Sequence, residues 1–466
     1  MFMCKKFVSL LLCLFAAGYT HAETLRIAIG TQDTTINSAC GGVLIRELQL
    51  LDKYLPHDGK YRDVQYDIQW RNFTSGAPVT NEMLAGKLDI GSMAEFPGAF
   101  NIDAFQKIGK KSLFITPLSA SIAGSGNGIV VPKDSPLLSL ADLKNKTISV
   151  PFASTAHGML LRVLAQQGWD PDKDVNIIAQ APEIAGSALQ THKVDAHAGF
   201  VPFAELFPYR GFARKIYDGS QSATPTFHGT LATAEFAEKY PEVLVAYLRA
   251  TIEAAELIRA EPEKYSELIA KQTGIDAEVI YLFHGPLGVQ TRDFSWKPEY
   301  RQAIKTALET LKYLKRITGN LDAEQFIDDS YIKAAFNQAG LDYQARLLDY
   351  SPSPLSAQDA YTGKTISDFK QVLQIWVAGE VKVRHYSGAD SAFADLKKLK
   401  AAGKKIRVIY VQDRQYGFKL PANEAWYVKN PDGVSAFLQK QQAENWLNNH
   451  GGSLLDFTAL EKQFAG

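Results

Sequence analysis

Cysteine is scarce in this chain: three in 466 residues, at Cys4, Cys13 and Cys40. No Cys-x-x-Cys pair and no His-x-Glu-x-x-His run is present, so no local metal motif is written into the sequence. Also missing are a Gly-x-Ser-x-Gly elbow, a phosphate-binding P-loop and a Gly-x-Gly-x-x-Gly fingerprint, which leaves no recognisable reaction centre and no cofactor signature. Excess charge is absent too. Fifty basic residues balance fifty acidic ones, which gives no footprint for nucleic acid or an anionic membrane surface. Low-complexity segments are missing, and the apolar run Phe7 to Gly18 is too short to span a bilayer.

That run has another use. Lys5 and Lys6 precede it and Thr20-His21-Ala22 follows it, the layout of a secretory signal peptide cleaved after Ala22. Cleavage would remove Cys4, Cys13 and both lysines, leaving Cys40 alone, no internal disulfide, and a net charge of about −2. Neither Cys4 nor Cys13 is placed like a lipid-accepting cysteine, since Leu11 and Leu12 precede Cys13 where small residues would be expected. With 46% hydrophobic and 21% charged residues, the remainder can bury ordinary cores. Its length argues for more than one domain. A monomeric, exported, periplasmic protein is expected.

Strands and helices alternate from Thr24 onward. Leu25-Arg26-Ile27-Ala28-Ile29-Gly30 has the period of a strand, a Thr/Ser/Asn-rich loop follows, and Val43 to Leu51 runs at helical spacing. Val64 to Trp70, then Asn72 to Gly76, then a helix opened by Pro78 repeat the cycle, which argues for a doubly wound, largely parallel sheet with ligands beyond the carboxyl ends of its strands. Two stretches resemble each other: Lys87 to Pro97 and Lys193 to Pro202, each a Lys-x-Asp entering a short strand and then a small-residue loop. They predict two similar α/β lobes facing one cleft. The expected division is 1–22 signal peptide, 23–118 with 222–345 as one lobe, 119–221 as the other, 346–369 as linker and 370–466 as a small α+β domain. Two crossing segments between lobes would form a hinge. In the tail, strands are expected over Val372 to Val377, Glu380 to His385 and Ile406 to Val411, and helices over Ala389 to Ala402 and Val434 to Asn449.

The loops supply candidate ligand groups. Ser154, Thr155 and His157 sit between a strand and a helix, where free N–H groups and the helix dipole favour an anionic oxygen. Thr34, Thr35, Asn37 and Ser38 offer the same at the first helix, and Thr74 and Ser75 at the second. Hydroxyls in these places also serve as ordinary helix caps. Glu95 would face a hydrogen-donating end of the ligand, with Phe96 and Phe200 as apolar walls. His157, His197 and His228 fall near the same loops, which keeps a metal reading open. Cys40 with His157 keeps a nucleophile–base reading open.

Taken together, Leu25 to Gly30, Gly86-Lys87-Leu88-Asp89-Ile90-Gly91, Asp142 to Ile148 and Val150 to Gly158 resemble the nitrate/sulfonate/taurine-type periplasmic substrate-binding proteins of ABC importers over about residues 24 to 345. The resemblance implies a type II two-lobed binding fold and no enzymatic activity. It also implies hinge closure on a small oxyanionic or zwitterionic organic solute, and docking on a cognate permease with its ATPase. Ligand contacts would come from Thr34, Thr35, Ser38, Thr74, Ser75, Glu95, Phe96, Ser154, Thr155, His157 and Phe200. Tyr386 to Phe393, Val411-Gln412-Asp413, Ala425 to Val428, Ala443 to Leu447 and Leu455-Asp456-Phe457 resemble NosL-type accessory proteins, copper chaperones of nitrous oxide reductase. That family holds Cu(I) through sulfur, and this chain has no methionine after Met159 and no cysteine after Cys40, so the copper site is not retained.

Overall fold

The structure, a computed structural model, describes residues 23–351 and 355–464. The expected signal peptide and residues 352–354 of the expected linker lie outside these limits. Strand β1 (Thr24–Thr31) buries Ile27 and Ile29 and pairs in parallel with β2 (Gln65–Asn72) and β3 (Ile90–Ala94). The sheet continues through β10 (Thr226–Thr233) and β4 (Ser112–Ser121) to the short β11 (Thr291–Arg292), all antiparallel to their neighbours. A second sheet has the order β7 (Asn176–Ala179), β6 (Thr147–Val150), β8 (Ala196–Gly199), β5 (Gly128–Pro132), β9 (Ala213–Asp218). The largely parallel doubly wound sheet expected from the alternation is therefore two separate mixed sheets, parallel only within β2-β1-β3 and β7-β6-β8. The chain leaves the first sheet after β4 and re-enters along β10, so the returning strand runs against the strands it joins.

Two segments cross between the sheets, residues 122–127 and 219–225. The repeated Lys-x-Asp stretches have matching jobs. Asp89 Oδ2 accepts the backbone N–H of Ala28 at 2.8 Å, and Asp195 Oδ2 accepts that of Thr147 at 2.8 Å. Each aspartate also donates its own N–H to the neighbouring strand, to the carbonyls of Ala28 and Thr147. The repeat thus pins one strand to the next in each lobe, setting the register that aims the following loop at the cleft.

Three helices, Pro241–Ala260, Pro262–Thr273 and Pro298–Tyr313, open on a proline whose missing N–H costs nothing at that position; the first two pack on each other, and the third packs on β10 of the first sheet. No helix among the described residues is long and apolar enough to cross a membrane.

After residue 355 the chain builds two small sheets. The first contains β12 (Leu373–Val377), β13 (Arg384–Tyr386), β14 (Ile406–Gln412) and β15 (Lys419–Pro421), and the second β16 (Trp426–Asn430), β17 (Gly433–Phe437) and β18 (Ser453–Leu455). The helix expected from Val434 begins only at Lys440, because Gly433, at φ 119°, turns the chain back and pairs Val434 to Phe437 with β16. The strand expected from Glu380 is likewise confined to its last residues. Half of the expected linker is docked: Leu355 and Ile366 pack on Leu287 and Val372. Asp359 accepts from Ser387 N at 2.8 Å and the Ser391 hydroxyl at 2.6 Å, and these bonds hold its carboxyl well below the usual carboxylate range. These tail residues lean on the helices of the first lobe. Glu263 accepts Val383 N at 3.0 Å, and the Tyr410 hydroxyl donates to the Glu278 carbonyl at 2.6 Å.

Candidate functional site

A narrow cleft lies beside the two crossing segments and is lined from both sheets. From the loop after β1 come Gln32, Thr35 and Asn37. The loop is braced rather than mobile, since Ser38 Oγ donates to the carbonyls of Gln32 at 3.0 Å and Thr35 at 2.9 Å. Thr35 Oγ1 and Asn37 Oδ1 are buried without a hydrogen-bond partner, a costly condition unless a ligand supplies one.

Three helices of nine or more residues aim their N-termini at this space. Gly76–Leu84 contributes Gly76, Glu95–Lys107 contributes Pro97, and Thr155–Gln166 contributes Thr155, preceded by Ser154. Neither Ser75 nor Ala94 caps its helix with a side chain. Ser154 does: its hydroxyl accepts His157 N at 3.2 Å and donates to the Pro151 carbonyl at 2.6 Å, so it is occupied in shaping the turn. The first-turn N–H groups at Gly76 and Thr155 face this space, while Pro97 has no N–H and adds only the dipole of its helix; together they favour negative charge here. At Gly76 a Cβ would meet Pro97 Cβ at 2.5 Å, so glycine is what lets two of these helix ends share one wall.

The remaining lining comes from the crossing segments and their neighbours: Asn127, Thr226, His228, Gln290 and Phe200. Gln290 Nε2 donates to the Ser125 carbonyl at 2.9 Å while its Oε1 accepts Asn37 Nδ2 at 3.3 Å, tying one crossing segment to the first loop. Among the described residues, none that lines the cleft is charged. Glu95 lies beside it instead. Its carboxyl is 3% exposed and accepts the Thr226 hydroxyl at 3.1 Å and Phe227 N at 3.1 Å. Burial lifts its pKa to about 7. Glu95 therefore holds Thr226 in place rather than standing open at the mouth as expected. His228 Nε2 is hydrogen-bonded to Ser92 Oγ at 3.0 Å, and burial drops its pKa to about 3, which keeps it neutral. On Arg162, Nε is buried without a partner, close enough to Glu95 for the two charges to interact.

The expected site residues thus divide. Thr35, Ser154, Thr155 and Phe200 line the cleft, Ser38 and Glu95 brace it, and Thr34, Thr74 and Ser75 are not in its wall. Phe96 and His157 line a separate outer chamber. Gln32, Asn127, Thr226 and Gln290 went unnoticed in the sequence; the crossing positions were the one clue to two of them.

The three histidines do not gather. His197 binds Ser149 at 2.9 Å, His228 binds Ser92, and His157 accepts Ala153 N at 3.0 Å. No group of three His, Cys, Asp or Glu residues among those described could hold a metal ion. Cys40 is buried in the first lobe, and burial pushes its thiol up to about 11, the reverse of what a nucleophile needs.

Comparison with known proteins identifies the family. Residues 55–272 match the NMT1-like family. An aliphatic sulfonates-binding protein of Escherichia coli (strain K12) is 30% identical over 273 residues, 58% of this chain and 78% of that one. The taurine-binding periplasmic protein of the same strain is 30% identical over 210 residues, 44% of this chain and 62% of that one. The crystal structure of the periplasmic aliphatic sulphonate binding protein SsuA from Escherichia coli superposes with a TM-score of 0.52 at 27% identity, covering 67% of this chain and 99% of that one. The chain belongs to the family of nitrate/sulfonate/taurine-type periplasmic substrate-binding proteins, the solute-capturing components of ABC importers.

Proposed function

We propose that the inner cleft captures the oxyanion end of a small organic sulfonate, or of a zwitterion carrying one, and delivers it to a membrane permease. The observation that carries this reading is the neutral, donor-rich wall. The helix N-termini at Gly76 and Thr155, the dipole of the helix that presents Pro97, and the unpartnered Thr35 hydroxyl converge where no lysine or arginine lines the space. A monoanion with several oxygens matches such a wall, since each oxygen can accept from a different N–H or O–H. Neutral donors also release the solute more readily than a buried ion pair would. The sulfonate and taurine specificities of the relatives support the same choice of ligand class.

In this reading Thr35, Asn37, Thr155, Thr226 and Gln290 contact the solute, Phe200 closes an apolar side, and residues 122–127 and 219–225 flex as the lobes close. Residues 1–22 are the export signal, the mature protein is a monomer, and residues 370–466 are an appended α+β domain of NosL-like ancestry without copper.

Titration calorimetry of the purified protein against taurine, methanesulfonate, sulfate and acetate tests the proposal. Binding of at least one sulfonate is expected, and Thr35→Ala should weaken it about tenfold, the effect of one lost hydrogen bond to a charged group. Silence toward every sulfonate would overturn it.

A further inference from the structure

Lys419, on β15 of the tail, is fully buried and forms no ion pair among the described residues. A lone buried lysine is costly, and burial holds its pKa well below the usual lysine range. What it has instead is a grip on the first lobe. Its Nζ donates to the Tyr281 carbonyl at 3.0 Å and lies 3.9 Å from the centre of the Tyr281 ring, while its backbone N–H donates to the Leu287 carbonyl at 2.9 Å. Those two carbonyls bracket the turn that leaves the helix Ala277–His284.

The tail also fixes the shape of that turn. Leu287 sits at φ 57°, a left-handed conformation that costs a non-glycine residue energy and is kept where the surroundings demand it. Its buried side chain is seated among Leu355, Ile366 and Val372, all from the segment that follows the two lobes. A Cβ at Gly285 would fall 2.7 Å from Lys419 Nζ, so glycine is what lets the amine enter the turn. On the lobe side, His284 Nε2 donates to the Ile36 carbonyl at 2.7 Å, beside Thr35 and Asn37 of the cleft wall. Two residues past Leu287, the Val289 carbonyl accepts the Ser125 hydroxyl at 3.1 Å. Gln290 comes next, bonded to the Ser125 carbonyl and to Asn37. A short run of backbone thus leads from the grip of Lys419 to a cleft side chain and to the crossing segment 122–127.

We propose that Lys419 is a positioning residue for the solute site: by holding the turn after the Ala277–His284 helix from the tail, it sets where Gln290 stands in the cleft. The appended domain is then part of the binding machinery, and affinity is tuned from outside the two lobes. The inference rests on the reading in which Gln290 contacts a sulfonate.

Calorimetry with taurine and methanesulfonate on wild type, Lys419→Met, Gln290→Ala and the double variant tests it. Methionine fills the space of the lysine chain and buries no charge, so the fold should hold. Lys419→Met is expected to weaken sulfonate binding about fivefold, yet in the Gln290→Ala background it should cost less than about twofold, because the side chain through which it acts is gone. A loss of the same size in both backgrounds, or none in either, would overturn the proposal. Should the melting temperature drop, the comparison still separates the two roles, since a general loss of stability acts alike in both backgrounds. Hydrogen exchange of the solute-free protein gives a second reading. Lys419→Met should speed exchange about fivefold or more across residues 285–292 and leave the Thr155–Gln166 helix of the second lobe unchanged. Exchange equal to wild type would overturn the positioning role whatever the solute. Silence of the wild type toward both sulfonates would instead strike the sulfonate reading, and the exchange result then decides the role of Lys419.

Discussion

Gly158→Ala should weaken ligand binding about fivefold or more while leaving each lobe folded. Gly158 lies in the first turns of the Thr155–Gln166 helix, in the second lobe, and a Cβ there would fall 2.6–2.8 Å from ring carbons of Phe96, in the first. Within its own helix, alanine is the better residue by roughly 1 kcal/mol, so the substitution does no local harm. The collision exists only when the lobes meet. Phe96 is 1% exposed and packed edge-on against Phe100, so its ring has little room to retreat. Overpacking of this kind costs about 1–3 kcal/mol, and here the cost falls on the closed state alone. A ligand that binds by closure must overcome that penalty, which multiplies its dissociation constant by about 5 to 150. Calorimetry measures the loss, and small-angle scattering of the ligand-loaded variant should show a larger radius of gyration than wild type. An affinity equal to wild type would mean that closure does not bring these two helices together. Adding Phe96→Ala to Gly158→Ala should restore part of the affinity, because it removes the other half of the collision.

Much of the fold can be read from residue pattern because its signals are local. Leu25, Ile27 and Ile29 alternate with less apolar neighbours, and β1 spans them; Pro241, Pro262 and Pro298 each open a helix. The direction of β10 is different, since whether Thr226 to Thr233 joins its neighbours parallel or antiparallel depends on how the chain returned from the second lobe. The site shows the same limit on a smaller scale. Thr155 and His157 are two residues apart, which on a helix is about 200° of rotation, so they line opposite sides of one turn. Sequence adjacency suggested one shared surface. At the second helix the hydroxyls of Thr74 and Ser75 drew attention, yet Gly76 reaches the cleft with backbone alone. Gln290 carries no motif at all; its role comes from β11 and the preceding loop lying along the crossing segment.

Lys215→Met should destabilise the protein by several kcal/mol at pH 8 and much less at pH 5. Lys215, its side chain 12% exposed, stands where the second lobe meets the tail, and its ammonium holds Glu205 at 2.5 Å and Asp218 at 3.1 Å while facing Glu424. Three carboxyls thus share one cation. Glu205 Oε2 and Glu424 Oε1 are buried with no hydrogen-bond partner, and burial pushes both groups to about 7. Their folded pKa values lie above the unfolded value of about 4.3, so the stability they contribute is fully present below that value and is lost as pH rises through about 7. Wild-type melting temperature should accordingly fall between pH 5 and pH 8. Removing the lysine takes away the one favourable partner, and breaking a buried pair in this way costs about 3–5 kcal/mol when the carboxylates are ionised. Protonation at pH 5 neutralises Glu205 and Glu424 and removes most of that cost. Thermal melts of wild type and Lys215→Met at the two pH values read the difference directly. An equal loss at both would mean that Lys215 acts through packing, with no part played by the charge it shares between the second lobe and the tail.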